Sequence, residues 1–182
     1  MIASDAIVLP PGARDEAKAY LRMVGSDEDA LIDRLIKAAA ELAERFTGQV
    51  LLARTVRETV AVPAGSDLSW LRLARAPVRA ITGVEAVGEG FPEALAAEDY
   101  AVDIDSNGDG WIRLLRRPAT RCVAATYEAG LSAEWTGVPE SIRQGVVRLA
   151  AHLFANRDRA EAPPPPAAVT ALWRPWRRMR LG

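Results

Sequence analysis

The chain has 182 residues, 49% of them hydrophobic and 26% charged, with a formal net charge of −1. That is enough apolar sequence for one domain, or one domain carrying an insertion, to bury a core without metal or disulfide. The single Cys122 excludes an intrachain disulfide framework, and near-zero charge gives no whole-molecule attraction to nucleic acid. No stretch has the length of a membrane span or the pattern of a signal peptide, so a soluble protein made in a reducing cytosol is expected.

In chain order, residues 1–12 end in Pro10-Pro11-Gly12 and read as an extended arm. Arg14 to Met23 predicts a first short helix, broken by Val24-Gly25. The strongest helical signal follows, over about 26–47. Ser26 is its expected N-cap and Asp29 completes a capping box, with Asp27 to Asp29 at the positive end of the helix dipole. Leu31, Leu35, Ala38, Leu42 and Phe46 recur at helical spacing and predict the buried stripe, widened by Ile32, Ile36 and Ala39. Gly48 stands where a left-handed C-cap belongs.

After Gly48 the period changes. Val50 to Val62 is rich in β-branched residues, Pro63 to Ser66 is a turn, and Trp70 to Leu73 and Val78 to Val87 predict two further strands, with a bulge at Gly83. Tyr100 to Ile104 and Trp111 to Leu115 flank a hairpin loop, and Arg121 to Tyr127 gives another strand, with Cys122 as a small buried hydrophobe. Helix returns over about 139–156, where Ile142, Val146, Leu149 and Leu153 form a stripe that is the natural partner of the 26–47 helix. A stiff polyproline spacer begins at Pro163, and a short helix is expected over about 167–173. The expected fold is therefore α+β: a helical bundle (about 14–23, 26–47, 139–156 and 167–173) with a small antiparallel β unit inserted over about 50–130. The corresponding division is 1–49 with 131–160 as bundle core, 50–130 as insertion, and 161–182 as spacer and C-terminal segment.

Little in the chain points to catalysis. His152 is the only histidine, so no triad or multi-histidine metal cluster can form. Phosphate-binding glycine motifs and a nucleophile elbow are missing from the sequence, and neither an enzyme nor a cofactor is expected. Asp103, Asp105, Asn107 and Asp109 match the first half of a calcium loop, but its twelfth position is Leu114 and its flanks read as strands. Asn-Gly and Asp-Gly pairs are equally a hairpin signal, and the hairpin is the preferred reading.

The C-terminal segment is unusual. Trp173 and Trp176 stand among Arg174, Arg177, Arg178 and Arg180, with no acidic residue from Pro163 onward. A solvated tail would waste two indoles, each able to bury about 150–250 Å². Together they are worth on the order of 8–12 kcal/mol at most. Tryptophan and arginine are also enriched at interface hot spots. A docking peptide for a partner protein is the favoured reading, with contact to DNA phosphates through the arginines as the alternative.

Three blocks together carry a resemblance. They are Glu16 to Arg22; Asp27 to Leu52, with Leu31-Ile32, Leu35-Ile36 and Ala38-Ala39 ahead of Phe46-Thr47-Gly48; and Tyr127 to Arg157, where Tyr127-Glu128-Ala129-Gly130 precedes the helical run from Val138. In this order and spacing the chain resembles the head–tail connector (adaptor) proteins of long-tailed phages and of phage-derived gene transfer agents, in particular longer members with a β insertion. The resemblance implies a structural role in the virion or gene-transfer particle. Copies would form a ring, expected to be dodecameric, beneath the portal protein. That ring would extend the DNA channel without sequence-specific binding and offer a platform to a stopper or tail terminator protein. It also implies that the C-terminal segment reaches the portal, making Trp173, Arg174, Trp176, Arg177, Arg178 and Arg180 the inferred portal-binding residues. The alternative function is a DNA-binding accessory protein acting through the arginine-rich tail.

Overall fold

The structure, a computed structural model, describes residues 1–62, 69–88, 92–159 and 164–178. The turn expected at 63–66 lies outside these residues, as does Arg180. The chain divides into two compact units, one built from Met1–Ala6 with Ala53–Gly130 and the other from Ile7–Leu52 with Leu131–Gly182. Together they make the α+β fold that the sequence predicts.

The helical unit contains α1 (Pro11–Leu21), α2 (Asp29–Thr47), α3 (Glu140–Ala155) and α4 (Ala167–Trp173). Helix α1 begins three residues before the expected start, because Pro11 opens it. Proline at the first helical position loses only an N–H that would be unpaired anyway, and its fixed φ suits the helix. The helix ends on Arg22 in the left-handed region, φ 56°, whose N–H bonds back to the Ala19 carbonyl at 3.2 Å.

Helix α2 starts at Asp29 rather than Ser26, and the capping box does not form. Its N-cap residue is Glu28, with no side-chain cap. The Asp29 carboxylate is taken instead by Lys18 Nζ at 2.6 Å and Arg14 Nε at 3.5 Å. Charge-assisted bonds to two cations outcompete a bond to one neutral amide. The Lys18 hydrogen bond holds the Asp29 carboxyl below the usual carboxylate range. The opposite end is as expected: Gly48 adopts φ 70° and donates its N–H to the Glu44 carbonyl at 2.9 Å.

The buried stripe of α2 differs from the expected one by a single step around the helix. Ile32, Ile36, Ala39, Ala40 and Ala43 are buried, whereas Leu31, Leu35, Ala38 and Phe46 are half-buried and Leu42 is 43% exposed. The residues expected to widen the stripe are thus its centre. They pack on α3, whose Ile142, Val146, Leu149 and Ala150 are buried while Leu153 is half-buried. After α2, Val50, Leu51 and Leu52 stay in this unit instead of opening the first long strand. The Leu131 N–H donates to the Val50 carbonyl at 2.9 Å, and Leu52 forms an isolated bridge with Ser132. Among the described residues no helix is long and apolar enough to cross a membrane.

The second unit holds two antiparallel sheets. The larger has the order β1 (Ile2–Ser4), β2 (Arg54–Ala61), β8 (Cys122–Ala129), β4 (Val78–Val87) and β5 (Glu93–Ala94), and the smaller has β3 (Leu71–Arg72), β7 (Gly110–Leu114) and β6 (Tyr100–Ile104). Residues 2–4 are therefore a strand, pairing Ile2 with Glu58 and Ser4 with Val56. They are no part of an extended arm. Strand β8 lies centrally, is buried along most of its length and pairs on both sides. Its first residue, Cys122, is only half-buried. The register of β4 on β8 shifts between Ile81 and Gly83, where the bulge is expected. Glu58 is buried in this unit and accepts bonds from the Tyr127 hydroxyl at 2.7 Å and the Ala74 N–H at 2.8 Å. Burial and the neighbouring Glu58 carboxylate push the Tyr127 hydroxyl pKa up.

Candidate functional site

The site residues inferred from the sequence lie at the C-terminal end, and the structure divides them into anchors and surface. Pro166 is the N-cap residue of α4, and the short helix turns Val169 and Trp173 into the core of the helical unit. Trp173 is 4% exposed, and its indole N–H donates to the Ile142 carbonyl at 3.2 Å. It packs on the Phe46 ring, with centroids 5.9 Å apart at 49°. Gly145 of α3 makes room for it: a Cβ there would meet Trp173 Cε2 at 2.7 Å. The proline spacer thus does not keep the segment off the core, because the chain reaches back to α3 within one short helix.

Beyond Trp173 a single 3-10 turn, Arg174–Trp176, carries the chain over the C-terminal end of α2. The Trp176 indole donates to Ser141 Oγ at 2.8 Å, and its carbonyl accepts from Gln49 Nε2 at 2.6 Å. The Arg178 N–H then donates to the Thr47 carbonyl at 2.8 Å, satisfying one of the carbonyls that the end of α2 leaves open. The Arg177 guanidinium lies 5.9 Å from the Phe46 ring centroid. The segment 173–178 is a strap across α2 and α3, held by two indoles and by hydrogen bonds to residues 47, 49, 141 and 142.

What the strap leaves facing outward is Arg174, Pro175 and Arg177, while Trp176 and Arg178 are half-buried. Trp173 belongs to the core and presents nothing to a partner while the strap is docked. The sequence singled out this segment through its two tryptophans. It could not show that one is internal, because Gly145, which admits it, lies 28 residues upstream.

The loop at 105–109 is a turn held by its own acids. Asp105 Oδ1 accepts the N–H groups of Asn107 at 2.8 Å and Asp109 at 2.9 Å, and Gly108 adopts φ 75°. The Asp109 carboxylate pairs with Arg72 at 2.6 Å, and Asp103 sits opposite Trp111 on the paired strands. Among the described residues no group of three or more His, Cys, Asp or Glu side chains is placed to hold a metal ion.

Comparison with known proteins adds three findings. Residues 15–80 match the family described as Phage gp6-like head-tail connector protein. No curated protein sequence matches the chain. Among solved structures the chain is similar, at 26% identity and TM-score 0.80, to one from the neck of an empty gene transfer agent (GTA) particle determined with C6 symmetry. A chain of the native GTA neck with C12 symmetry matches at 26% identity and TM-score 0.71. The fold is shared also with a chain of the native GTA virion, at 24% identity and TM-score 0.77. Each comparison covers 100% of this chain and 97% of the other. The alternative of a DNA-binding accessory protein finds no support in these likenesses.

Proposed function

We infer that this chain, a head–tail connector protein, is a structural adaptor in the neck of a phage-like gene transfer particle, located at the head–tail junction. The observation that carries this reading is a likeness to GTA neck chains that runs through both units from end to end. The relatives' necks have rotational symmetry, and an oligomeric ring is the form of this chain that fits them.

The finer assignment is a ring of twelve copies beneath the portal protein, continuing the DNA channel and offering its far side to a stopper or tail terminator. A net charge of −1 suits a conduit, since a strongly basic lumen would bind phosphates and retard passage. The segment 161–182 is the part that docks on the portal. Trp173 acts there as an internal anchor, and Trp176 and Arg178 brace the strap. Arg174 and Arg177 are the outward cations that meet an acidic portal surface, together with Arg180 beyond the described residues.

Co-purification with the cognate portal protein, followed by electron microscopy, tests this assignment. The wild-type chain is expected to cap the portal as a ring. The Arg174→Glu/Arg177→Glu variant, with unchanged circular dichroism, is expected to bind at least tenfold more weakly. Failure of the wild-type chain to bind would remove the portal as partner. Equal binding by the variant would remove the strap as the docking element.

A further inference from the structure

A ring made by rotation needs two different surfaces on each copy, one fitting the other, because a heterologous contact closes only when every subunit offers both. The helical unit carries two apolar features that its own packing leaves partly open, and they lie on different helices. The first is a ridge on α2, formed by Leu31, Leu35, Ala38 and Leu42. At 100° per residue these four fall within about 60° of arc, beside the buried stripe rather than on it. They are half-buried, and Leu42 is 43% exposed. The second is an open groove of about 350 Å³ lined largely by Tyr20, Leu21, Ala151, Ala155 and Ala168, with Arg148 and His152 as its polar members on α3. No α2 residue lines it.

Asp33, which Arg14 of α1 holds at 2.9 Å, lies about half a turn around α2 from the ridge. The ridge is therefore on the flank of α2 remote from α1, whereas the groove opens beside α1. The groove suits aliphatic side chains. An enclosed apolar cavity of about 150 Å³ accepts a benzene-sized molecule; this groove, about 350 Å³ and open to solvent, has room for leucine side chains. Tyr20, at 52% exposed, forms an aromatic rim over it. The ridge supplies leucines one helical turn apart along a span of about 16 Å.

We propose that the occupant of the groove is the α2 ridge of a second copy of this chain, and that this ridge-into-groove contact is the repeating interface of the ring. The assignment rests on the connector reading above and adds the residues that join one copy to the next. Leu42 and Leu35 of one copy enter the space between Tyr20, Ala151 and Ala155 of its neighbour. Helix α2 thus serves two cores: its Ile32–Ala43 stripe closes its own unit, and its Leu31–Leu42 stripe completes the neighbour's.

Cysteine pairing in assembled particles tests the contact. In a Cys122→Ala background, the pair Leu42→Cys with Ala155→Cys is expected to give, on mild oxidation, a ladder of covalent oligomers rising to the full ring. Either cysteine alone should leave the chain monomeric on a denaturing gel. As a second variant, Leu42→Arg places a charge on an exposed position that the fold tolerates. It should keep the wild-type thermal midpoint and enter particles at least tenfold less often. Particles that contain the double-cysteine chain but yield no ladder would overturn the interface while leaving the connector reading intact. Cross-linking of Leu42→Cys to a different neck protein would do the same. Absence of the wild-type chain from the necks would overturn both.

Discussion

Gly145 and Trp173 show what a single glycine contributes to this molecule. In a helix interior glycine costs about 1 kcal/mol relative to alanine, so replacing it would ordinarily stabilise α3. Here the indole of Trp173 fills the space a side chain would need, with Cε2 at 2.7 Å from a Cβ built at Gly145. Overpacking should therefore win over propensity. Gly145→Val is expected to destabilise the helical unit by about 1–3 kcal/mol and to release the strap. The checks are urea unfolding, a red shift of tryptophan emission, and proteolysis within 164–178. Stabilisation by Gly145→Ala would mean that the indole is not seated on α3. The sequence marks Trp173 as exceptional by its company, but nothing local identifies Gly145 as its socket. A pair separated by 28 positions is set by packing alone.

At the scale of the element, α2 contrasts what local chemistry decides with what it does not. Its C-terminal end is decided locally: Gly48 sits at φ 70°, where any side chain is strained. Its N-terminal end is decided by a neighbour, because Lys18 and Arg14 reach across from α1 to claim Asp29. Ser26→Ala should therefore change stability by less than about 0.5 kcal/mol, as at an ordinary surface position. A working N-cap would cost about 1 kcal/mol. Gly48→Ala should cost about 1 kcal/mol or more. Thermal unfolding of the two variants side by side distinguishes these, and a larger loss at Ser26 would restore the capping box. The same division explains which elements could be read in advance. Strands β4 and β6 and helix α4 match their expected limits because alternation, turn residues and proline punctuate them. Strand β1 is three exposed residues whose only support is the β2 edge, and β5 is two residues long. Neither carries a pattern of its own. On α2 both apolar stripes are real, and only contact with α3 shows which one the fold uses internally.

At the scale of the whole molecule, the surfaces that would join copies are modest. A stable interface buries on the order of 1,200–2,000 Å² in total. The ridge offers four side chains of which only Leu42, 43% exposed, is not half-buried in its own unit, and the groove is a single depression. A contact of this size does not offset the rotational and translational entropy of assembling many subunits from dilute solution, about 4–15 kcal/mol for each association. A template that already displays the symmetry removes most of that cost, because each docked copy meets its neighbour at high effective concentration. The isolated chain is therefore expected to be a monomer at micromolar concentration, with the portal templating the ring through the Arg174–Arg177 face. Sedimentation velocity of the purified chain, alone and with portal, measures this directly. A single 19.7 kDa species that shifts wholly into the portal complex would fit. A stable ring sedimenting without portal would show that the subunit contacts are strong by themselves, and the template would then have no energetic role.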